Sequence, residues 1–339
     1  VAAGAVCYTL SMKIAGRTVK FKQTGSLNGN LLAGLRGKLT NWRYLGPVLV
    51  VIAALLWSLD GILRAELRAI PPAFLVFLEH GIGLIFMLPW LITLRSQILK
   101  ASGAAKVSLI VTSIISGTLG TIFYTAALAQ IFYVPFSVVV LMQQLQPIFA
   151  VGLSSLLLKE KISGQLIVNA IFALVGAYLL SFPSLLPDLK SAPGIAQALA
   201  ASLALAAAIA WGTGTVFSKF ALKEISPRAA TAGRFAITTV ASLILAIFLG
   251  QTIPLSSING SQLLQLLVIV FSAGAMALFI YYQGLSRTKA QVSTFAELAW
   301  PISAFAIDLA RGISFAPTQL IGALLLIVMI IRIARANSK

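Results

Sequence analysis

From Gly46 onward, long apolar runs alternate with short polar or proline-rich breaks. The runs predict ten helices, at about 47–64, 72–94, 107–129, 134–157, 163–182, 195–218, 227–250, 262–285, 290–310 and 316–335. Each is close to the ~20 residues that cross a bilayer. Breaks fall at Ile70-Pro71-Pro72, Lys159-Glu160-Lys161, Pro183 to Pro193, Ser226-Pro227, Ile253-Pro254 to Gly260, and Arg287 to Lys289. One run departs from pure apolarity. Ala290 to Arg311, AQVSTFAELAWPISAFAIDLAR, carries Glu297, Pro301 and Asp308. Read as one helix, it sets Glu297 and Asp308 about 20° apart around the axis, on one face. A carboxylate facing lipid costs ~2.5 kcal/mol or more, so this face is expected to turn toward protein or a water-filled cavity. Pro301 removes a backbone hydrogen bond and is expected to kink the helix. The acids read either as structural partners of neighbouring groups or as a substrate or proton site.

Composition changes the picture from apolar to membrane-embedded. The 339 residues are 59% hydrophobic and 10% charged, with mean hydropathy +0.98; soluble domains carry about 25% charged residues. The expected class is an all-α integral membrane protein. One cysteine, Cys7, excludes a disulfide framework, and one histidine, His80, excludes a Cys/His zinc cluster. Neither HExxH nor GxSxG occurs. No enzyme activity, cofactor or metal is expected.

The net charge of +17 is a topology signal rather than a nucleic-acid footprint. With the N-terminus inside, 20 of the 25 Lys and Arg fall on one side of the ten spans and 4 on the other, with Arg234 inside a helix. This asymmetry puts both termini in the cytoplasm of a cell-membrane protein. Residues 1–46 read as a basic cytoplasmic tail without acids, 183–194 as an external linker, and 336–339 as a cytoplasmic C-terminus. Residues 1–11 precede the first methionine, Met12, and read as an upstream extension or a mis-set start. No signal peptide is expected, because no basic stretch leads into an apolar core with a cleavage site.

The chain repeats internally. Ala54-Leu55-Leu56-Trp57-Ser58 matches Ala208-Ile209-Ala210-Trp211-Gly212, and a proline follows each tryptophan after 15 or 16 residues, Pro72 and Pro227. Tyr124 to Leu128 matches Tyr281 to Leu285, and Gln143-Gln144-Leu145-Gln146-Pro147 matches Glu297-Leu298-Ala299-Trp300-Pro301. Two five-helix repeats result, at 47–182 and 195–335. Five is odd, so the halves enter the membrane in opposite senses, an architecture of transporters with a midplane site.

This order, a Trp helix, a Pro-started helix, a Tyr-Ala-Leu helix and a helix with a central proline, resembles the EamA-like family of the drug/metabolite transporter superfamily. The resemblance covers about residues 47–335. Its best match is LQPIFAVGLSSLLLKEKISGQLIVNAIFALVGAYLL, with Pro147, Glu160 and Gly176, and Arg234-Phe235 stands where the family commonly has Arg-Phe. There are departures. Glu79-His80 stands where the family often has Arg, and Asn169 where glycine is usual. The second repeat has Arg311-Gly312 in place of the loop acid and Met329 where the late glycine would fall. The resemblance implies an alternating-access carrier for small metabolites or drugs, usually an exporter and often proton-coupled, working as a monomer or dimer. A non-transporting membrane scaffold or receptor with the same fold is the alternative.

The candidate substrate or proton residues are few. Asp60, Glu79, His80, Arg234 and Glu297 fall toward the middle depth of their spans, with formal charges of −3 and +1. Arg234 cannot lose its charge and is expected to find a carboxylate, as a structural tie or as part of an anion clamp. Asp60 reads either as a cavity group or as an interfacial partner of Arg64 one turn on. His80 reads as a proton relay or as a hydrogen-bonded core histidine. The surplus acids are candidates for reversible protonation. Gln143 and Gln146, three apart, share a helical face, for helix-to-helix bonding or for lining a cavity. Trp57, Tyr281 and Trp300, with Tyr124 and Trp211, add aromatic surface, as interfacial belts or cavity walls. The expected partners are a small-molecule substrate, lipid and possible coupling protons, not nucleic acid.

Overall fold

In the computed structural model, the described residues are 10–14, 17–21, 42–130, 132–158, 164–186, 188–288, 293 and 296–336. The chain divides into two units, Val1–Tyr44 and Leu45–Lys339. In the first, β1 (Leu10–Ile14) and β2 (Arg17–Phe21) pair antiparallel, with Leu10 opposite Phe21 and Ile14 opposite Arg17. This hairpin is a local exception to the all-α expectation. The Lys159-Glu160-Lys161 break, with the next two residues, and the segment 289–292 lie outside the described residues.

The second unit is helical, and its first helix takes in the last three residues of the first unit. α1 is Trp42–Glu66, α2 Pro72–Lys100, α3 Gly103–Val111 and α4 Thr121–Leu128, the last two joined by a π-helical stretch, Thr112–Gly120. α5 is Phe136–Gln143, α6 Gln146–Leu158 and α7 Gly164–Ser181. α8 is Ala192–Ala221 and α9 Pro227–Phe248. α10 (Gly260–Ile269) and α11 (Ala275–Ser286) flank a second π stretch, Val270–Gly274; α12 is Ala299–Ala310 and α13 Pro317–Ala336. Seven described stretches are long and apolar enough to cross a membrane: 45–66, 72–100, 103–128, 136–156, 192–221, 227–248 and 260–286. Three shorter apolar helices, Ile167–Ser181, Ala299–Ala310 and Pro317–Arg332, accompany them.

The boundaries follow local chemistry. Pro72 and Pro227 open α2 and α9, where a missing N–H costs nothing. Ser102, Ser191 and Ser226 accept from backbone N–H groups in the first turns of α3, α8 and α9. Asn259 and Gln262 form a reciprocal capping box at α10. Gly250 (φ 63°) and Gly312 (φ 77°) follow the ends of α9 and α12 in the left-handed region, which a Cβ disfavours.

Two predicted continuous helices are broken. The fourth stops at Gln143 and restarts at Gln146, and its turn is held by tight bonds from Gln144 N to Leu141 O (3.1 Å) and Leu145 N to Met142 O (3.2 Å). The ninth restarts at Ala299 after a turn at Glu297-Leu298, with Trp300 N bonded to Glu297 O at 2.9 Å. Pro147 and Pro301 therefore stand in first turns, which tolerate them, rather than kinking helix interiors. The 20° relation between Glu297 and Asp308 is lost with that break. Asp308, 1% exposed, instead accepts from the Ser137 backbone N–H at 2.7 Å and caps α5 from a distant element.

Counterparts in the sequence repeat also pack together. α2 runs along α9, α7 along α13, and α5 meets α12. At the α7–α13 contact, a Cβ on Gly176 would lie 2.9 Å from Gly322 O, and one on Gly322 would lie 2.6 Å from Gly176 O. The glycine that meets Gly176 is thus Gly322, while Met329 is a buried core residue.

Candidate functional site

One cavity lies among the irregular helices. Its walls include Ser116 from the first π stretch, Ala273 and Gly274 from the second, and Gln146 and Glu297 beside the two helix breaks. π-helical and broken helical backbone re-aims side chains and recurs at functional sites in membrane proteins. The cavity has a volume of about 110 Å³, room for several waters.

The first polar group centres on Arg64. This residue lies in the last turn of α1, where a helix C-terminus favours a cation, and is 3% exposed. Arg64 Nε and Nη2 donate to the two Asp60 oxygens at 3.0 Å each. Nη2 also donates to Glu79 Oε2 at 2.7 Å, and Nη1 to Thr125 Oγ1 at 3.1 Å. Every Arg64 nitrogen thus has an acceptor, and a buried guanidinium holds two carboxylates from two helices. Beside it, the His80 Nδ1 position is 3.0 Å from Val76 O, and its ring lies 4.7 Å from that of Phe235.

Arg234 forms a second group. Its Nη1 donates to the Tyr282 hydroxyl at 3.0 Å and its Nη2 to Ser116 Oγ at 3.2 Å. The expected carboxylate partner is not there: among the described residues the ion pairs belong to Arg64 alone. Asp60 and Glu79, one α-helical turn and one helix contact from Arg64, engage that guanidinium first.

The third group centres on Glu297. Gln146 Nε2 donates to Glu297 Oε2 at 2.9 Å, and Ser293 Oγ to Oε1 at 3.3 Å. This bond joins the two broken helices beside their breaks; in the repeat the counterpart of Glu297 is Gln143, and that of Gln146 is Trp300. Glu297 is 3% exposed and has no cation partner among the described residues.

Aromatic rings complete the cavity. Trp57 lies 5.3 Å from Tyr281 and 5.5 Å from Trp300, ring centroid to centroid. Tyr124 lies 5.5 Å and Trp211 5.8 Å from Trp300. The matched tryptophans of the two repeats thus both meet Trp300, at distances suited to tilted contacts.

The cavity collects the predicted candidates Trp57, Asp60, Glu79, His80, Gln146, Arg234, Tyr281, Glu297 and Trp300. Gln143 is the exception. It is fully buried away from the cavity, with both amide atoms unpartnered among the described residues. The shared face argued for Gln143 and Gln146 needs a continuous helix, and the Gln144-Leu145 turn removes it. Arg64 is the main addition. The sequence reads it as a residue of the outer break and as an interfacial partner for Asp60; that pair forms, but α1 continues past Arg64 and the pair is buried at the cavity rather than at the interface. The central charges are therefore −3 and +2. Ser116, Thr215 and Ser218 also line the cavity; hydroxyls in a membrane helix carry no distinctive sequence signal.

The comparisons agree with this architecture. The profile of the EamA-like transporter family matches residues 44–182 and 198–335. A relative from Fusobacterium nucleatum subsp. nucleatum, described as riboflavin transporter ImpX, is 34% identical over 298 residues, covering 86% of this chain and 98% of that protein. An uncharacterized transporter from Clostridium kluyveri is 24% identical over 260 residues, covering 76% of this chain and 82% of that protein. A solved crystal structure with 20% identity aligns with a TM-score of 0.59, over 88% of this chain and 100% of the other, and shows a shared fold. The match over both stretches means that the chain belongs to the EamA-like transporter family and is a multi-pass membrane transporter rather than an enzyme.

Proposed function

We propose that the chain is an alternating-access carrier for a small, flat, hydrogen-bonding metabolite of the riboflavin type. The observation that carries this reading is the joining of an aromatic enclosure to separate cationic and carboxylate groups in one cavity. Aromatic faces suit a planar ring system, and fixed polar groups orient its edges. The ImpX relative, aligned over nearly its whole length, supports the same choice.

In this reading ten spans form two inverted halves, 47–182 and 195–335, joined by the external linker 183–194. Both termini, including the tail 1–46 and residues 336–339, are cytoplasmic in the cell membrane. The 20-to-4 charge split supports that orientation. The breaks at Gln144-Leu145 and Glu297-Leu298 are the points about which the halves rearrange. Glu297, the cavity acid without a cation, carries the coupling proton, and the family resemblance favours export. A single chain contains both halves and suffices for one pathway; a dimer is compatible with it.

Sealed vesicles containing the purified protein test this reading through riboflavin fluorescence. Saturable uptake and exchange of preloaded riboflavin are expected. Flux no greater than in protein-free vesicles, with no exchange, would reject the carrier reading; binding without flux would point to a receptor.

A further inference from the structure

Arg234 and Arg64 share the cavity but differ in what remains open. Each Arg64 nitrogen is engaged, three of its contacts going to carboxylate oxygens. Arg234, 9% exposed, bonds only to the hydroxyls of Tyr282 and Ser116, and its Nε has no partner among the described residues. Glu79 lies within electrostatic reach of Arg234, yet its hydrogen bond goes to Arg64. A guanidinium cannot shed its charge, and a charge at membrane depth is ordinarily paired. The Tyr282 hydroxyl is also 3.1 Å from Ser218 Oγ, so it has another partner available when it releases Arg234. Nε itself is buried beside Gly117, where a Cβ would stand 3.3 Å from it, whereas Nη1 and Nη2 each keep a second N–H beyond the bond to a hydroxyl.

We infer that, if the cargo reading above is correct, Arg234 receives one acceptor edge of the flat solute, the flavin C2 carbonyl oxygen with the adjacent unprotonated N1. The guanidinium fork matches two adjacent acceptors, and the aromatic rings cover the solute's faces. This assigns orientation as well as affinity: the acceptor edge points to α9, and the rest of the solute points toward Gln146 and Glu297. A ring system of the same shape whose nitrogen carries a hydrogen presents a donor to a donor and is rejected.

Lumiflavin and lumichrome provide the comparison, because both lack the ribityl chain and only lumichrome carries hydrogen on that nitrogen. Titrations of purified protein, read by flavin fluorescence, are expected to favour lumiflavin by about tenfold or more. Arg234→Lys keeps the charge but not the fork, and is expected to reduce the preference to about twofold or less. Arg234→Gln, which removes the charge together with the fork, is expected to do the same. A folded, monodisperse variant of either kind that keeps the native preference overturns the inference while leaving the carrier reading intact. A native protein that binds neither flavin overturns both.

Discussion

At the scale of single residues, the division of charge is the main result. Arg64 takes Asp60 and Glu79, leaving Glu297 with the neutral donors Gln146 and Ser293. This division separates two roles that formal charge alone merges. Loss of the Glu297 charge strands no guanidinium, so Glu297→Gln is expected to express and fold like the native protein. It retains a carboxamide of the same shape but cannot bind and release a proton. Under the proposed function, exchange of riboflavin across vesicles should persist, while accumulation driven by a pH gradient should disappear. A folded Glu297→Gln protein that still concentrates substrate would remove Glu297 as the coupling group and pass the role to Glu79 with His80. Arg64→Gln, by contrast, leaves two buried carboxylates without their cation. It should lower the yield of folded protein sharply, at a cost of about 3–5 kcal/mol, read as melting temperature in detergent. Unchanged melting would show that the Arg64 cluster is not part of the structural framework.

At the scale of elements, the fold depends on a helix end satisfied by a distant residue. α5 begins after Pro135, which offers no side-chain cap, and Asp308 of α12 supplies the missing acceptor at Ser137 N. Asp308→Ala is therefore expected to destabilise the protein by about 1–2 kcal/mol, by analogy with loss of a local cap. Asp308→Asn, which keeps an acceptor, should cost about 1 kcal/mol or less, the charge contribution at a helix N-terminus. Thermal unfolding of the two variants checks the order, and equal stability of Asp308→Ala and native protein would show that the cap carries no stability. The helix breaks belong to this scale too. Periodicity identified both apolar runs, and the prolines marked irregularity. A kinked helix and a broken one have the same apolar pattern, however, and the local i to i−3 bonds at Gln144 and Trp300 separate them.

At the scale of the whole molecule, the expectation is orientation. The charge split predicts that Ser184, between α7 and α8, faces outward and that Ser286, at the end of α11, faces the cytoplasm. Cysteine at each position in a Cys7→Ser background can be tested with a membrane-impermeant thiol reagent on intact cells. Labelling at 184 and protection at 286 are expected; the reverse pattern would invert the proposed topology. The pairing of α2 with α9 and α7 with α13 gives the two halves a broad shared contact, supported at Gly176 and Gly322 by direct backbone approach. Substitutions of these glycines by larger residues would force the halves apart.

The sequence by itself determined the membrane class, the multi-pass helical character, the family resemblance and most residues of the cavity. Hydrocarbon makes these features legible: it requires long apolar runs and makes every charge within them conspicuous. The Trp57 and Trp211 segments made the repeat visible because their turn and proline signals are local. Only the tertiary structure decided that Arg64 belongs inside, that Arg234 has no carboxylate partner among the described residues, that Gln143 leaves the cavity and that Asp308 caps α5. Each of these depends on distances between residues far apart in sequence, and on where a helix ends to within one turn. A one-turn change moves a side chain across about 5.4 Å of depth, and a break changes the face on which it emerges. Hydrophobic pattern fixes neither to that accuracy, whereas packing and the competition for hydrogen-bond partners fix both.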